Sequence, residues 1–336
     1  MDEGVAGIRW GILSTANIGR AAVIPAIKES TRGEVVAVAS RENRRAEEFA
    51  AENGIPEAFG SYEELLEDEH VDAIYIPLPN NMHREWTIRA AEAGKHVLCE
   101  KPLALTATEC DEMADAAESA GVVCMEAFMY RFHPRIDAVT ELIASGAIGE
   151  LRSMYSAFTF KLTTTDNIRL DPELGGGSLM DVGCYCVNVF RTIAASEPLE
   201  VQAQALWTDR GVDEQMAGLL RFEGGRTAQF DCALTMERRE ALHVAGTDGH
   251  LEVPRVFIPG TDDVTIEEFH GRGDAKSHAL PGVNEYTAMV EHFTDSVLTG
   301  SPVRYPFSEA AANMRVLEAL YRSAWNGGQT EPVRDE

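Results

Sequence analysis

The sequence predicts an α/β protein: an N-terminal, doubly wound parallel sheet, then an α+β domain with an open, mainly antiparallel sheet. Three observations carry that class. Short apolar runs alternate with helix-like stretches through the first 130 residues or so. Beyond residue 150 several strand-like runs follow one another without a helix between them. Two helical segments then close the chain. At roughly 100–200 residues per domain, 336 residues make two domains. They are placed at 1–128 and 129–336, with the last helix free to pack back on the first.

The apolar runs of strand length are IRWGILS from Ile8, VVAVAS from Val35, AIYIPL from Ala73, HVLCE from His96 and VVCMEAF from Val122. SYEELLE between them opens with a capping box, Ser61 with Glu64. TATECDEMADAAESAG opens with Thr106 and Glu109 and stops at Gly121. Nearly continuous apolar strands separated by helices mean a parallel sheet covered on both faces. In the second part, LRSMYSAFTF reads as a strand. A glycine-rich loop and a helix follow, near Ser178 to Ala194. TAQFDCALTM then alternates, with Ala228, Phe230, Cys232, Leu234 and Met236 facing one way. That period of two suits an antiparallel sheet with one buried face. Helices near Glu285–Leu298 and Ser308–Trp325 end the chain.

Composition narrows the function classes. A formal charge of -26 argues against nucleic acid or an anionic membrane as partner. Five lysines stand against twenty-four arginines. Acid excess with scarce lysine resembles the proteins of salt-loving organisms; a GC-rich genome that favours Arg codons produces the same skew. No run of about 18 apolar residues predicts a membrane span. The opening MDEGVAG lacks the apolar stretch of a signal peptide, so the expected location is the cytoplasm. The six cysteines form no C-x-x-C pair and read as buried free thiols. The nine histidines are scattered without a metal-ligand pattern, so no metal is expected.

In a doubly wound domain a dinucleotide sits at the carboxyl ends of the strands. The first turn here reads Ser14-Thr15-Ala16-Asn17-Ile18-Gly19, that is S-x-A-x-x-G where G-x-G-x-x-G is usual. Ser and Ala are small enough for the backbone to approach a pyrophosphate, which the amides opening the next helix then hold. The second strand ends in Ser40-Arg41, with Arg44 and Arg45 following. An NAD site needs a carboxylate there; Ser and Arg bind a 2′-phosphate instead, so NADP is the expected cofactor. Ile76-Pro77-Leu78-Pro79-Asn80 makes an extended turn under the expected nicotinamide half. Glu100-Lys101-Pro102 ends a further strand, and the proline keeps Lys101 out of the helical region.

These segments together resemble the glucose–fructose oxidoreductase, inositol dehydrogenase and MocA family (Gfo/Idh/MocA). The glycine-loop position, IPLPN with His83, E-K-P, MEAFMYRFHP from Met125, and GGGSLMDVGCY from Gly175 to Tyr185 fall in the family's order and spacing. The resemblance covers essentially the whole chain. It implies an N-terminal Rossmann domain and a C-terminal domain whose open sheet makes a homodimer or homotetramer. Tyr185 stands where inositol dehydrogenases carry His. That is similar to the branch of NADP-dependent D-xylose dehydrogenase, glucose–fructose oxidoreductase and dimeric dihydrodiol dehydrogenase. The degenerate glycine loop departs from the common family pattern at Ser14 and Ala16.

Asp181 and Tyr185 lie four apart on a predicted helix and share a face. A tyrosine hydroxyl loses its proton only near pH 10 in water. A nearby ammonium and the cationic nicotinamide ring bring that down. The family pairs this position with Lys101. Expected catalytic residues are therefore Lys101, Tyr185 and Asp181, acting on a sugar or polyol. Ser14, Thr15, Ala16, Asn17, Ile18, Ser40, Arg41, Arg45, Pro77, Leu78, Asn80, His83, Glu100, Lys101 and Arg131 are the cofactor candidates. Phe160, Asn167 and Arg169 join the catalytic three on the substrate wall. His133, before Pro134, reads as structural. The resemblance implies oxidation of an aldose at C1. A keto-sugar reductase, a trans-dihydrodiol dehydrogenase and a non-catalytic dinucleotide sensor are the alternatives.

Overall fold

The structure, a computed structural model, describes residues 7–334. The chain runs β1 (Ile8–Leu13), a π-helical turn (Gly19–Val23), α1 (Ile24–Glu29), β2 (Gly33–Ala39), α2 (Asn43–Asn53), β3 (Glu57–Phe59), α3 (Tyr62–Leu66), β4 (Ala73–Ile76), α4 (Asn80–Glu92), β5 (His96–Cys99), α5 (Ala107–Ala120) and β6 (Cys124–Glu126). Then come α6 (Pro134–Ala144), β7 (Leu151–Lys161), a second π-helical turn (Leu179–Gly183), α7 (Cys184–Ala194), β8 (Glu200–Trp207), β9 (Asp213–Arg221), β10 (Thr227–Ala233), β11 (Thr235–Gly246), β12 (His250–Pro254), β13 (Val264–Phe269), β14 (Lys276–Leu280), α8 (Glu285–Thr299), α9 (Phe307–Trp325) and β15 (Glu331–Pro332). Two compact units result. Residues 7–129 group with Asn284–Ala311, and Tyr130–Val283 groups with residues 312–334.

The first unit is built on a six-stranded sheet in the order β3-β2-β1-β4-β5-β6, parallel throughout. The central strands are apolar on both faces, as a sheet covered by helices on each side requires. Ile8, Trp10, Ile12 and Leu13 of β1 and all of Ala73–Ile76 in β4 are buried. The strand order reverses between β1 and β4, which opens a crevice at their carboxyl ends. Ser61 and Thr106 cap their helices, accepting from the Glu64 and Glu109 amides. Each glutamate reaches back one residue further than the usual box, to the Gly60 and Leu105 amides. The strand β3 is an addition to the sequence reading: three part-exposed residues leave no apolar run. In the same unit α8 lays Phe293 against Trp10, with ring centroids 5.1 Å apart, and its Glu291 and Asp295 receive Arg32.

The second unit holds a nine-stranded sheet in the order β14-β13-β12-β11-β7-β10-β9-β8-β15. Every pairing is antiparallel except β7 with β10. Helix α7 covers its buried face, with ten of its residues inside. A Cβ at Gly183 would stand 2.8 Å from Cys232 Sγ, so helix and sheet approach closely there. One sequence expectation is corrected. The alternation of Ala228, Phe230 and Cys232 holds, but β10 stops at Ala233. Leu234 is buried in the link, bonded main chain to main chain with Leu162 and Glu214. Met236 therefore belongs to β11, not to the same face of one strand. None of the six cysteines is in a disulfide, and all are buried. Among the described residues no helix is long and apolar enough to cross a membrane.

Candidate active site

In the first unit the chain leaves β1 at Ser14 with φ at +126°, a conformation that side-chain-bearing residues rarely adopt. The hydroxyl helps hold it there. Ser14 Oγ accepts the Ala16 amide and donates to the Pro77 carbonyl, both at 3.2 Å. The loop after β1 is thereby tied to the turn after β4, across the point where strand order reverses. The retained glycine does less. A Cβ on Gly19 would meet Tyr75, Ile12 and Pro77 only at ordinary contact distance. Ala16, Asn17 and Ile18 lead into the helix, and Asn17 Oδ1 receives Arg20 at 2.9 Å.

The end of β2 carries the basic groups. Ser40 is buried and its amide donates to the Phe59 carbonyl. Arg45 donates to Thr15 Oγ1 at 3.3 Å, joining this corner to the β1 loop. Burial raises the Tyr62 hydroxyl's pKa, and Arg41 and Arg45 pull it part of the way back, so both guanidinium groups lie near the start of α3. Arg44 turns away and pairs with Glu48 one helical turn on. Two cations remain at the strand tip where an NAD site would carry an acid.

Around Lys101 the backbone is held by side chains. The Tyr75 hydroxyl donates to Glu100 Oε1 at 2.5 Å, and the Lys101 amide donates to Glu100 Oε2 at 3.3 Å. Burial raises Tyr75 well above its ordinary pKa, so it stays a donor. Past the cis Lys101–Pro102 peptide, the Leu103 amide donates to the buried Glu126 carboxylate at 2.8 Å. His83, on α4 after Asn80, is fully buried. Its Nε2 faces the Leu78 carbonyl at 2.8 Å and its Nδ1 the Pro102 carbonyl at 3.0 Å. Burial lowers its pKa. The ring sits between the two strand tips with each nitrogen against a carbonyl, and as a neutral imidazole it can donate to only one of them.

The second unit holds the residues read as substrate wall other than Lys101, which lies in the first. Asp181 emerges from the π-helical turn and Tyr185 from the first turn of α7. Asp181 Oδ2 accepts from Arg169 Nε at 2.6 Å. The Arg169 guanidinium lies 5.8 Å over the Phe160 ring, and its amide donates to Asn167 Oδ1 at 3.0 Å. Phe160, Asn167, Arg169 and Asp181 are thus one linked group. Tyr185 is buried among aromatic rings, with Phe158 and Phe257 at 5.3 Å and Tyr130 at 5.7 Å between centroids. The Tyr130 hydroxyl donates to Asn188 Oδ1 at 2.6 Å. Arg131, buried, opens this unit beside Tyr130. His133 caps α6 by accepting the Arg135 amide, and burial brings its pKa down to about 4, a structural part as the sequence suggested.

Sequence reasoning missed Tyr75, Glu126, Tyr130, Phe158, Phe257 and Asn188. Glu126 and Tyr130 both sat inside a noted motif, MEAFMYRFHP, without being singled out. The first unit offers small side chains, helix-opening amides and two guanidinium groups, a set that fits the phosphates of a dinucleotide. The second offers a phenol and an arginine-held carboxylate against apolar rings, a set that fits a hydroxylated carbon skeleton.

Comparison with known proteins agrees. A family described as an oxidoreductase family with an NAD-binding Rossmann fold, GFO/IDH/MocA, matches residues 8–128, and the family's C-terminal domain matches 136–252. The chain is 42% identical over 324 residues to D-xylose 1-dehydrogenase (NADP(+)) 2 of Haloferax volcanii, covering 96% of this chain and 99% of that one. It is 37% identical over 255 residues to the mouse trans-1,2-dihydrobenzene-1,2-diol dehydrogenase, covering 75% and 76%. Among solved structures, a 3-ketoreductase from Actinomadura kijaniata in complex with NADP and TDP-benzene superposes with a TM-score of 0.90 at 30% identity, covering 94% of this chain and 98% of that one.

Proposed function

The chain belongs to the Gfo/Idh/MocA oxidoreductase family, and from that premise we propose that it is an NADP-dependent sugar dehydrogenase oxidising C1 of an aldose, D-xylose or D-glucose, to the lactone. The observation that carries this reading is the helix from Leu179 to Ala194, which presents Asp181 and Tyr185 four residues apart, the carboxylate held by Arg169. A carboxylate to grip one hydroxyl and a phenol to take the proton of its neighbour are what alcohol oxidation asks of a protein. Ser40, Arg41 and Arg45 at the β2 tip support NADP rather than NAD, as does the cofactor named for the Haloferax relative.

In this reading the loop of residues 14–18 and the β2 tip with Ser40, Arg41 and Arg45 would hold NADP+, which would supply the hydride acceptor for C1. Tyr185 takes the proton from the C1 hydroxyl. Lys101 orients that oxygen and stabilises negative charge developing on it. Asp181 accepts a hydrogen bond from a neighbouring hydroxyl. Glu100, gripping the Lys101 amide, and Glu126, gripping the Leu103 amide, limit how far the lysine's backbone can drift. The first unit is then the NADP-binding domain and the second the substrate-binding and oligomer-forming one. The acid excess and scarce lysine fit a cytoplasmic enzyme of a salt-loving source.

Reduction of a keto sugar is the second reading, favoured by the likeness to the 3-ketoreductase. It uses the same groups in reverse, with Tyr185 returning the proton. The test is nicotinamide absorbance with NADP+ or NAD+, a panel of aldoses and graded KCl, followed by the reverse direction with keto sugars. NADPH formation from D-xylose or D-glucose, abolished by Tyr185→Phe with NADP binding retained, is the expected result. No turnover with any sugar, diol or aldehyde in either direction overturns the proposal, and undiminished turnover in Tyr185→Phe overturns that residue's part in it.

A further inference from the structure

Asp213, the first residue of β9, is 1% exposed and lies at the start of the helix that bears Asp181 and Tyr185. Its carboxylate is fully engaged. Oδ2 accepts the Ser178 hydroxyl and the Leu179 amide, both at 2.7 Å, and Oδ1 accepts the Tyr321 hydroxyl at 2.8 Å. The local chain is shaped around this carboxylate. Gly177 adopts φ of +131°, and a Cβ there would fall 2.2 Å from Asp213 Oδ1 and 2.8 Å from the Tyr321 oxygen. Only glycine leaves room for the carboxylate at that place. The Tyr321 ring is itself held by stacking on Trp325, with centroids 5.5 Å apart, and tilts against Trp207 at 6.3 Å.

A second point on the helix is also fixed, where Gly183 meets Cys232 on β10. Between the two anchors lies the π-helical turn, and Asp181 projects from it. A π turn widens the helix and changes the direction of the side chains on either side of it, which is why such turns gather at working sites. A carboxylate at a helix start also answers the partial positive charge of the free amides there. It takes no hydrogen bond from Asp181 or Tyr185 in this arrangement. Its influence on them runs through the turn that it pins.

We propose that Asp213 is a positioning residue for the reaction: by pinning Ser178 and Leu179 it sets the direction in which Asp181 and Tyr185 face the sugar. The inference rests on the functional reading above. Burial raises the pKa of this carboxyl and its donors oppose that rise, so the Ser178 hydroxyl, the Leu179 amide and the Tyr321 hydroxyl stand where solvent would otherwise be. Removing one donor or the charge therefore loosens the same anchor by separate routes.

The test uses the whole protein with D-xylose and NADP+, and with D-xylose deuterated at C1. Asp213→Asn keeps the side-chain size while turning an amide towards donors. It should lower kcat about tenfold, raise the sugar KM severalfold, enlarge the deuterium isotope effect and leave NADP binding within about twofold. An isotope effect grows when a misaligned site makes the hydride step slower; a smaller folded fraction lowers activity without moving KM or the isotope effect. Should Asp213→Asn not fold, Tyr321→Phe and Ser178→Ala each remove one donor and spare the carboxylate. Each should give a two- to fivefold loss of kcat with a raised isotope effect. Parent KM and isotope effect in the folded variants overturn the inference. If the parent turns over no sugar, or if Tyr185→Phe keeps full turnover, the functional reading has failed and takes this inference with it.

Discussion

Ser14 decides whether the departure from the glycine fingerprint is tolerated at a cost or is neutral. Its φ of +126° belongs to a region where a non-glycine residue carries about 1–3 kcal/mol of strain. Two part-buried hydrogen bonds, from the Ala16 amide and to the Pro77 carbonyl, offset it at about 0.5–1.5 kcal/mol each. Ser14→Ala loses both bonds and keeps the strain, so it should destabilise the first unit by about 1–3 kcal/mol. Ser14→Gly loses the bonds and the strain together, less about 0.5–1 kcal/mol for the greater freedom of glycine in the unfolded chain. The glycine variant should then exceed the alanine variant by about 1–2 kcal/mol. At ordinary backbone positions the order is the reverse. For a unit of this size the gap amounts to roughly 2–8 °C in melting temperature. Thermal and urea unfolding of the three proteins at one KCl concentration measures it. An alanine variant as stable as the glycine variant refutes the argument, because the strain at Ser14 would then be absent.

Arg45→Ser removes one charge-assisted contact near the β2 tip, worth about 1.5–3 kcal/mol on a phosphate, so the NADP+ Kd should weaken about 10- to 150-fold while that for NAD+ moves little; equal losses for both cofactors count against a 2′-phosphate site. Glu268, bonded by His270, His278 and Lys276, has its carboxyl held down to about 2. A depressed carboxyl contributes stability above its unfolded pKa of about 4.5 and loses it as pH falls towards the folded value. Glu268→Gln should therefore lower the melting temperature at pH 7 and by progressively less below pH 4, and an equal loss at both pH values defeats this account. With a net charge of -26, added KCl should raise the melting temperature by screening self-repulsion, and a melting temperature unchanged between dilute buffer and molar KCl contradicts it.

The parts of the fold that could be read from sequence are those with a local period. Strands β1, β2, β4, β5 and β6 announce themselves as apolar runs because each is covered on both faces. Ser61 and Thr106 mark helix starts because a cap is a bond across three residues. Where the period is short or broken, reading along the chain fails. Strand β3 has three residues at the sheet edge. The run through Leu234 and Met236 keeps its alternation in letters while the chain turns between β10 and β11.

The candidate site follows the same division. Asp181 and Tyr185 are four apart in one segment, so the sequence could pair them as candidates, while the π-helical turn that carries Asp181 has no signature in the letters. Arg169 on Asp181 is twelve residues away, and Tyr75 on Glu100 twenty-five, so neither pairing has a local signature. Asp213 is the plainest case. In sequence it is one acid among 55 in a strand of mixed burial; in space it is the anchor of the helix that carries the proposed chemistry. The one hint was GGGS before a helix: a glycine-rich approach makes room for something that the segment itself does not contain. Gly177 shows what, since its missing Cβ is the space taken by the Asp213 carboxylate. The same reasoning inverts at Ser14, where a side chain is present at a backbone angle that glycine would take freely. What the loop letters hide is how often a site is defined by groups from elsewhere in the chain, and the glycines and the strained serine are where that outside partner leaves its mark.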